Sequence, residues 1–134
     1  MIVFVLWAAG SLGAANVGAE RCKLCHRTVY QSWAATPHGS AAPPSFEERC
    51  LQCHATEGRR LDAVQCEACH GPGSDYSPAE VMIDPEKAEM AGLVRPSIVV
   101  CERCHENDEE GHRGELVMPE RNEWARWIHE MKDP

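Results

Sequence analysis

Eight cysteines occur as four pairs, and every pair has the same neighbours. Two residues separate the cysteines of a pair, and a histidine follows the second cysteine at once. The groups are Cys22, Cys25 and His26; Cys50, Cys53 and His54; Cys66, Cys69 and His70; and Cys101, Cys104 and His105. This C-x-x-C-H spacing is the attachment signature of c-type haem. Two thiols three positions apart on a helical turn reach both vinyl groups of one haem, and the adjacent imidazole becomes the proximal iron ligand.

Disulfides and zinc are the other common uses of paired cysteines. An even number of cysteines in an exported protein usually forms disulfides. Two of the pairs, Cys50/Cys53 and Cys66/Cys69, would also make a four-thiolate zinc site. Neither use accounts for the histidines. With seven histidines in 134 residues, chance would place one after all four pairs with a probability on the order of 10⁻⁵. The sequence therefore predicts four covalently attached haem c groups.

Each haem iron has a second axial position, and the chain has too few histidines to fill all four. Three histidines remain beyond the proximal ones, namely His38, His112 and His129. We predict these three as distal ligands. The remaining iron would take a histidine from another subunit, the amino group of Glu20, no ligand at all, or one of the methionines Met82, Met90, Met118 and Met131. Two imidazoles give a low potential, methionine raises it, and an open position admits a small molecule.

The amino-terminal nineteen residues contain no charged side chain. Residues 2–12 form an apolar run of signal-peptide length, although no Lys or Arg precedes it. Val17, Gly18 and Ala19 fit a small-residue cleavage site that leaves Glu20 as the first mature residue. An uncleaved membrane anchor is the alternative, since about 20 apolar residues span a bilayer. We expect a signal peptide over residues 1–19, a haem domain over 20–134, and a periplasmic or extracellular protein that meets the membrane only if residues 1–19 are retained.

Large apolar side chains are scarce after residue 19. Residues 20–134 hold one phenylalanine, three tryptophans, two tyrosines and all nine prolines. That is too little for an ordinary core at this length. We expect a mainly α-helical chain with much irregular coil, wrapped around four stacked haems.

Local patterns predict several helices within this chain. Arg27 to Ala35 are expected to continue the helix that holds His26, and Thr36-Pro37 ends it. Ser77-Pro78-Ala79-Glu80 resembles a capping box. Asp84-Pro85-Glu86 begins a helix that Gly92 ends. A last helix is expected over residues 123–132.

The charge of the chain is acidic, with 21 Asp and Glu against 13 Lys and Arg and a net charge of −8. Nucleic-acid-binding domains usually show the opposite balance, so we expect no nucleic acid partner. An acidic surface instead favours association with basic redox partner proteins.

These motifs resemble the tetrahaem cytochrome c-554 family, which accepts electrons from hydroxylamine oxidoreductase. The similarity covers the first motif with the following Tyr30, Trp33 and His38, the segment 64–74 around the third motif, and the closing segment 124–129. The resemblance implies an electron carrier whose haems stack in parallel and perpendicular pairs, with His38 and His129 as distal ligands. Extracellular cytochrome filaments are built from subunits with similar haem arrangements. The family commonly has a distal histidine soon after the third motif, whereas residues 71–100 contain none.

Electron transfer is the function that these features predict, either as a periplasmic carrier or as a filament subunit completed by an intersubunit ligand. A membrane-anchored electron relay and a nitrogen-oxide reductase at an open haem are the alternatives. The sequence shows no recognisable catalytic set, so we expect no enzymatic activity unless one iron is five-coordinate.

Overall fold

The structure is a computed structural model that describes residues 13–40, 47–56 and 61–105. It is mainly helical with much coil, as the sequence predicts. The helices of the described residues are short: α1 Ala19–Lys23, α2 Arg27–Ala34, α3 Pro37–Ser40, α4 Glu48–His54, α5 Cys66–His70, α6 Ala79–Met82, α7 Pro85–Met90 and α8 Ile98–His105. The predicted helix over residues 123–132 lies outside the described residues.

A break at residues 24–26 separates α1 from α2. Leu24 closes α1, and His26 is the N-cap of α2 with a non-helical backbone. The predicted helix over residues 27–34 is confirmed, but the predicted continuity with a helix that holds His26 is wrong, because His26 has a non-helical backbone. The helix ends at Ala34 because Pro37 disfavours helical backbone at the residue before it. Pro37 is then the first residue of α3. Three short helices in succession therefore turn the chain back on itself.

One small sheet follows α4. Strand β1 (Ala55–Thr56) pairs antiparallel with β2 (Leu61–Asp62), with Ala55 opposite Asp62. This pairing is not predicted by the sequence pattern. The hydroxyl of Thr56 accepts a hydrogen bond of 2.8 Å from the backbone N–H of Gln65. This bond fixes the chain that leads from the strands into α5.

The predicted helix after Asp84 is confirmed. The Asp84 side chain accepts a hydrogen bond from the backbone N–H of Lys87 (3.2 Å), and α7 follows with proline as its first residue. Gly92, with φ of 102°, ends this turn of chain.

The capping box predicted at Ser77 is wrong. Pro78, and not Ser77, is the N-cap of α6, and no side chain caps that helix. The backbone N–H of Ser77 instead donates to the carbonyl of Gly73 at 2.9 Å. The residues before α6 therefore belong to the preceding turn.

The side-chain core of the described residues is small. Its buried apolar members are Ala19, Leu51, Tyr76 and Ala88, and no large side chain in these ranges is fully buried. Two of the four are alanines, so little apolar area is removed from water by side-chain packing alone. No helix within the described ranges combines the length and the apolar character needed to cross a bilayer.

Candidate haem-binding site

All four CXXCH segments lie on helical turns. The helices α4, α5 and α8 each contain both cysteines of their motif and end at its histidine. In the first motif the backbone N–H groups of Cys25 and His26 donate to the carbonyl of Cys22, at 3.2 and 2.9 Å. Residues three apart on a helical turn share one face. Each thiol pair therefore has the local geometry that attachment to two neighbouring vinyl groups requires.

The third motif lies against the first. The thiols of Cys22 and Cys66 are hydrogen-bonded to each other, which lowers the pKa of Cys22 and raises the pKa of Cys66. The imidazoles are close as well. Burial lowers the pKa of His70, the hydrogen bond to Val94 opposes this, and the nearby His26 lowers it further. Two predicted attachment sites are thus adjacent.

The fourth motif also lies against the third. The guanidinium of Arg103 donates to the carbonyl of Ala68 at 2.9 Å. Burial raises the pKa of the Cys69 thiol, and the neighbouring Cys101 raises it further. The third motif therefore has the first and the fourth motifs as neighbours. The second motif continues into β1, whose Thr56 holds the chain entering the third motif.

The imidazole of His70 is held in a defined tautomer. Its Nδ1 lies 3.0 Å from the carbonyl oxygen of Val94, and the Val94 backbone N–H donates in return to the His70 carbonyl at 2.9 Å. A carbonyl only accepts, so Nδ1 carries the proton and Nε2 keeps its lone pair. A hydrogen bond of this kind orients metal-binding histidines and fixes their tautomer. His70 therefore fits the role of a proximal iron ligand.

His38 faces the histidine of the fourth motif. The ring centroids of His38 and His105 are 6.0 Å apart, with the ring planes at 71°. Two imidazoles bonded to one metal through bonds of about 2 Å have ring centres roughly 6 Å apart. Burial lowers the pKa of His38, and His105 lowers it further. Both effects favour the neutral imidazole, which is the form that binds a metal.

A cross-connection positions His38. The indole N–H of Trp33 donates to the carbonyl of Val64 at 2.9 Å, and the backbone N–H of Val64 donates to the carbonyl of His38 at 3.2 Å. Trp33 lies on α2 and His38 on α3, whereas Val64 precedes α5. The two bonds therefore connect the segment carrying His38 to the chain that enters the third motif.

The other predicted distal ligands are only partly within the described residues. His112, His129, Met118 and Met131 lie outside them. Met82 is half-buried and Met90 is exposed. The side chain of Glu20 is exposed, accepts a hydrogen bond from the Tyr30 hydroxyl and pairs with Lys23 at 3.2 Å. Of the predicted distal histidines, His38 lies within the described residues, and the structure brings it close to His105.

A buried carboxyl beside the third motif was missed by the sequence analysis. Glu67 is only 4% exposed. Its Oε1 accepts hydrogen bonds from the backbone N–H groups of Val17 (2.8 Å) and Gly73 (2.7 Å), and its Oε2 accepts one from Gly18 (2.8 Å). The residue type alone does not predict that Glu67 is buried. Glu102 occupies the same position of the fourth motif and is not a member of this cluster.

Neither a disulfide nor a metal-binding cluster is present among the described residues. All eight cysteines lie in the described part of the chain, and no disulfide joins them there. Within the same residues, no group of three or more His, Cys, Asp or Glu side chains is arranged to hold a metal ion. Haem attachment needs no such group, since the porphyrin supplies four ligands and the protein supplies two at most.

Comparisons with models of known protein families, with curated proteins and with solved structures found no significant match to this chain.

Proposed function

We propose that this protein is an exported electron-transfer protein that carries four covalently attached haem c groups. One observation carries the proposal: the CXXCH pattern occurs four times, and each copy lies on a helical turn. The spacing of the thiols and the adjacent histidine suit the chemistry of haem attachment. The small side-chain core of the described residues supports the same reading, because bound porphyrins would supply the apolar volume that side chains do not.

The residues divide into three roles in this proposal. The eight cysteines would form the thioethers, and His26, His54, His70 and His105 would be the proximal ligands. His38 would complete the coordination of the iron that His105 binds, because the two ring centroids are 6.0 Å apart. The Val94 carbonyl holds the ring of His70. When bound, such haems supply reversible one-electron transfer.

The contacts between motifs support transfer along the protein. The third motif contacts the first through Cys22 and Cys66, and the fourth through Arg103 and Ala68. The short connections therefore keep neighbouring attachment points together without long helices or a large sheet. The net charge of −8 would steer the protein toward basic redox partners, either as a carrier or as a subunit of an extracellular filament.

Haem content is the measurement that tests this proposal. The full chain is expressed together with a c-type haem attachment system, and the purified protein is measured by intact mass and by a pyridine haemochrome assay. We expect four covalent haems and four irons per chain. Replacing Cys66 and Cys69 by Ser should remove one haem, whereas the control Ser77→Ala should keep all four. Zinc in place of iron, or no covalent haem, would refute the proposal.

Electron paramagnetic resonance then separates the two forms of the function. The oxidised protein is compared as dilute monomer and as any larger species isolated by size. A high-spin ferric signal in the monomer that disappears in the larger species indicates a filament subunit completed by a neighbour's ligand. Low-spin iron throughout the monomer indicates a self-contained carrier.

A further inference from the structure

The chain before the first motif is bound to the third motif. Two of the three hydrogen bonds to the buried carboxyl of Glu67 come from the backbone N–H groups of Val17 and Gly18, each at 2.8 Å. The third comes from Gly73 at 2.7 Å. Both carboxyl oxygens are therefore used, and residues far apart in sequence meet at one buried acceptor.

Neighbouring residues extend this connection on both sides. The backbone N–H of Ala19 donates to the side-chain carbonyl of Gln65 at 2.8 Å. The N–H of Ala15 donates to the Ser74 hydroxyl at 2.9 Å, and the N–H of Ser74 donates to the Ala15 carbonyl at 3.0 Å. These bonds are formed by the backbone of residues 15–19, so they need that segment to be present and not any particular side chains in it.

Steric fit supports the same connection. A methyl group added at Gly73 would lie 2.9 Å from Oε1 of Glu67 and 3.0 Å from Cγ2 of Val17. The Val17 side chain therefore packs against the turn at Gly73, which follows the third motif. The segment fills this space and does not merely rest on the surface.

The segment also begins the helix that carries the first motif. The carbonyl of Gly18 accepts hydrogen bonds from the backbone N–H of Arg21 (3.0 Å) and from the thiol of Cys22 (3.8 Å). Ala19 is the first residue of α1 and is buried. Cleavage after Ala19 would remove both residues and would leave Glu67 with Gly73 as its remaining donor in this cluster.

We propose that Ala15–Ala19 belong to the mature folded domain, so that any signal-peptide cleavage of this chain occurs before Ala15 and not after Ala19. The inference rests on the export that the proposed function includes. In such a step a signal peptidase hydrolyses one peptide bond, with water supplying the hydroxyl of the new carboxyl terminus and a proton of the new amino group. Gly13 and Ala14 are small and exposed, so a signal peptidase can reach the chain directly before Ala15.

The first test is the amino terminus of the exported protein. The full chain is expressed with haem attachment, and the mature protein is examined by intact mass and amino-terminal sequencing. A first residue at Ala15 or earlier, including an uncleaved chain, supports the inference. A first residue at Asn16 or later overturns it. Haem content is measured on the same sample, so a protein without haem that still begins before Ala15 would count against the proposed function and not against this inference.

The second test compares two mature forms exported behind the same unrelated signal peptide. One form begins at Ala15 and the other at Glu20. We expect the shorter form to unfold at a temperature lower by at least about 10 °C, because it loses the donors to Glu67 and the start of α1. Equal unfolding temperatures and equal yields of the two forms would overturn the inference.

Discussion

The substitution Glu67→Gln tests the buried carboxyl with minimal change in shape. In the wild-type protein Oε1 accepts from Val17 and Gly73, and Oε2 accepts from Gly18. A glutamine amide keeps one acceptor oxygen but places an NH₂ group where the second oxygen was. If the remaining oxygen stays with Val17 and Gly73, the NH₂ group points at the N–H of Gly18. One buried donor then faces another.

The expected cost follows from this geometry. A hydrogen bond to a charged group contributes about 1.5–3 kcal/mol, and a buried donor without an acceptor costs about 1–3 kcal/mol. These two contributions overlap, so we expect Glu67→Gln to lower the free energy of unfolding by about 2–4 kcal/mol. In a domain of this size that corresponds to a fall in Tm of roughly 8–16 °C.

Urea unfolding of the haem-loaded protein, followed by far-ultraviolet circular dichroism, measures this effect. Glu102→Gln is the matched control, since Glu102 has the same position in the fourth motif and is half-buried. The two substitutions change the charge equally, so a difference between them reports the hydrogen bonds of Glu67. Equal effects of Glu67→Gln and Glu102→Gln would refute the reasoning.

A double-mutant cycle makes the same prediction sharper. In the form that begins at Glu20, two of the three donors to Glu67 are already absent. Glu67→Gln should then cost at least about 1 kcal/mol less than it costs in the form that begins at Ala15. An equal cost in both forms would mean that the carboxyl acts independently of residues 15–19.

Three further substitutions probe the remaining parts of the site. His38→Ala should convert one of the four haems to a high-spin ferric form in electron paramagnetic resonance, because it removes the ring opposite His105, and unchanged low-spin spectra would contradict this ligand assignment. Trp33→Phe removes one hydrogen bond and should lower the free energy of unfolding by about 1 kcal/mol in the urea assay; no measurable loss would contradict the cross-connection. Gly71→Ala should destabilise more than Gly92→Ala, since both have positive φ but only the added methyl at Gly71 comes within 3.2 Å of another atom. Equal losses in thermal unfolding would contradict that steric difference.

The helical placement of the motifs was predictable from the spacing of their cysteines. Two thiols that are to reach one porphyrin would need to be three positions apart on a helical turn. Three pairs lie within helices, and the first pair spans the end of α1 and the turn after it. The helix after Asp84 was predictable for another local reason, since aspartate, proline and a terminal glycine set its ends. Both predictions depend on residues adjacent in sequence.

The connection between residues 15–19 and the third motif was not predictable in the same way. The small residues Val17, Gly18 and Ala19 suit a peptidase site, and they also suit a tightly packed segment whose backbone N–H groups are its binding groups. Composition does not separate these two uses. Only the tertiary structure places a carboxyl, that of Glu67, against those N–H groups.

The pairing of His38 with His105 was likewise beyond the sequence. The shortage of histidines predicted His38 as a ligand, but the 67 positions that separate it from His105 carry no information about which motif it approaches. The hydrogen bond from the Trp33 indole to the Val64 carbonyl helps to set the position of His38. It connects the segment after α2 to the chain that enters the third motif, and Arg103 connects the fourth motif to the helix of the third motif.

The third motif therefore combines the local C-x-x-C-H pattern with contacts to residues that are distant in the sequence. Its cysteines lie beside those of the first and fourth motifs. The buried Glu67 directly follows its first cysteine, and the Val94 carbonyl orients its histidine. With so small a side-chain core, the described residues have few other means of keeping the proposed haem sites in register. Hydrogen bonds from backbone groups fill that role here, because they hold short segments together without requiring large apolar side chains where porphyrins would lie. Loss of Glu67 would consequently disturb the first and third motifs before the second.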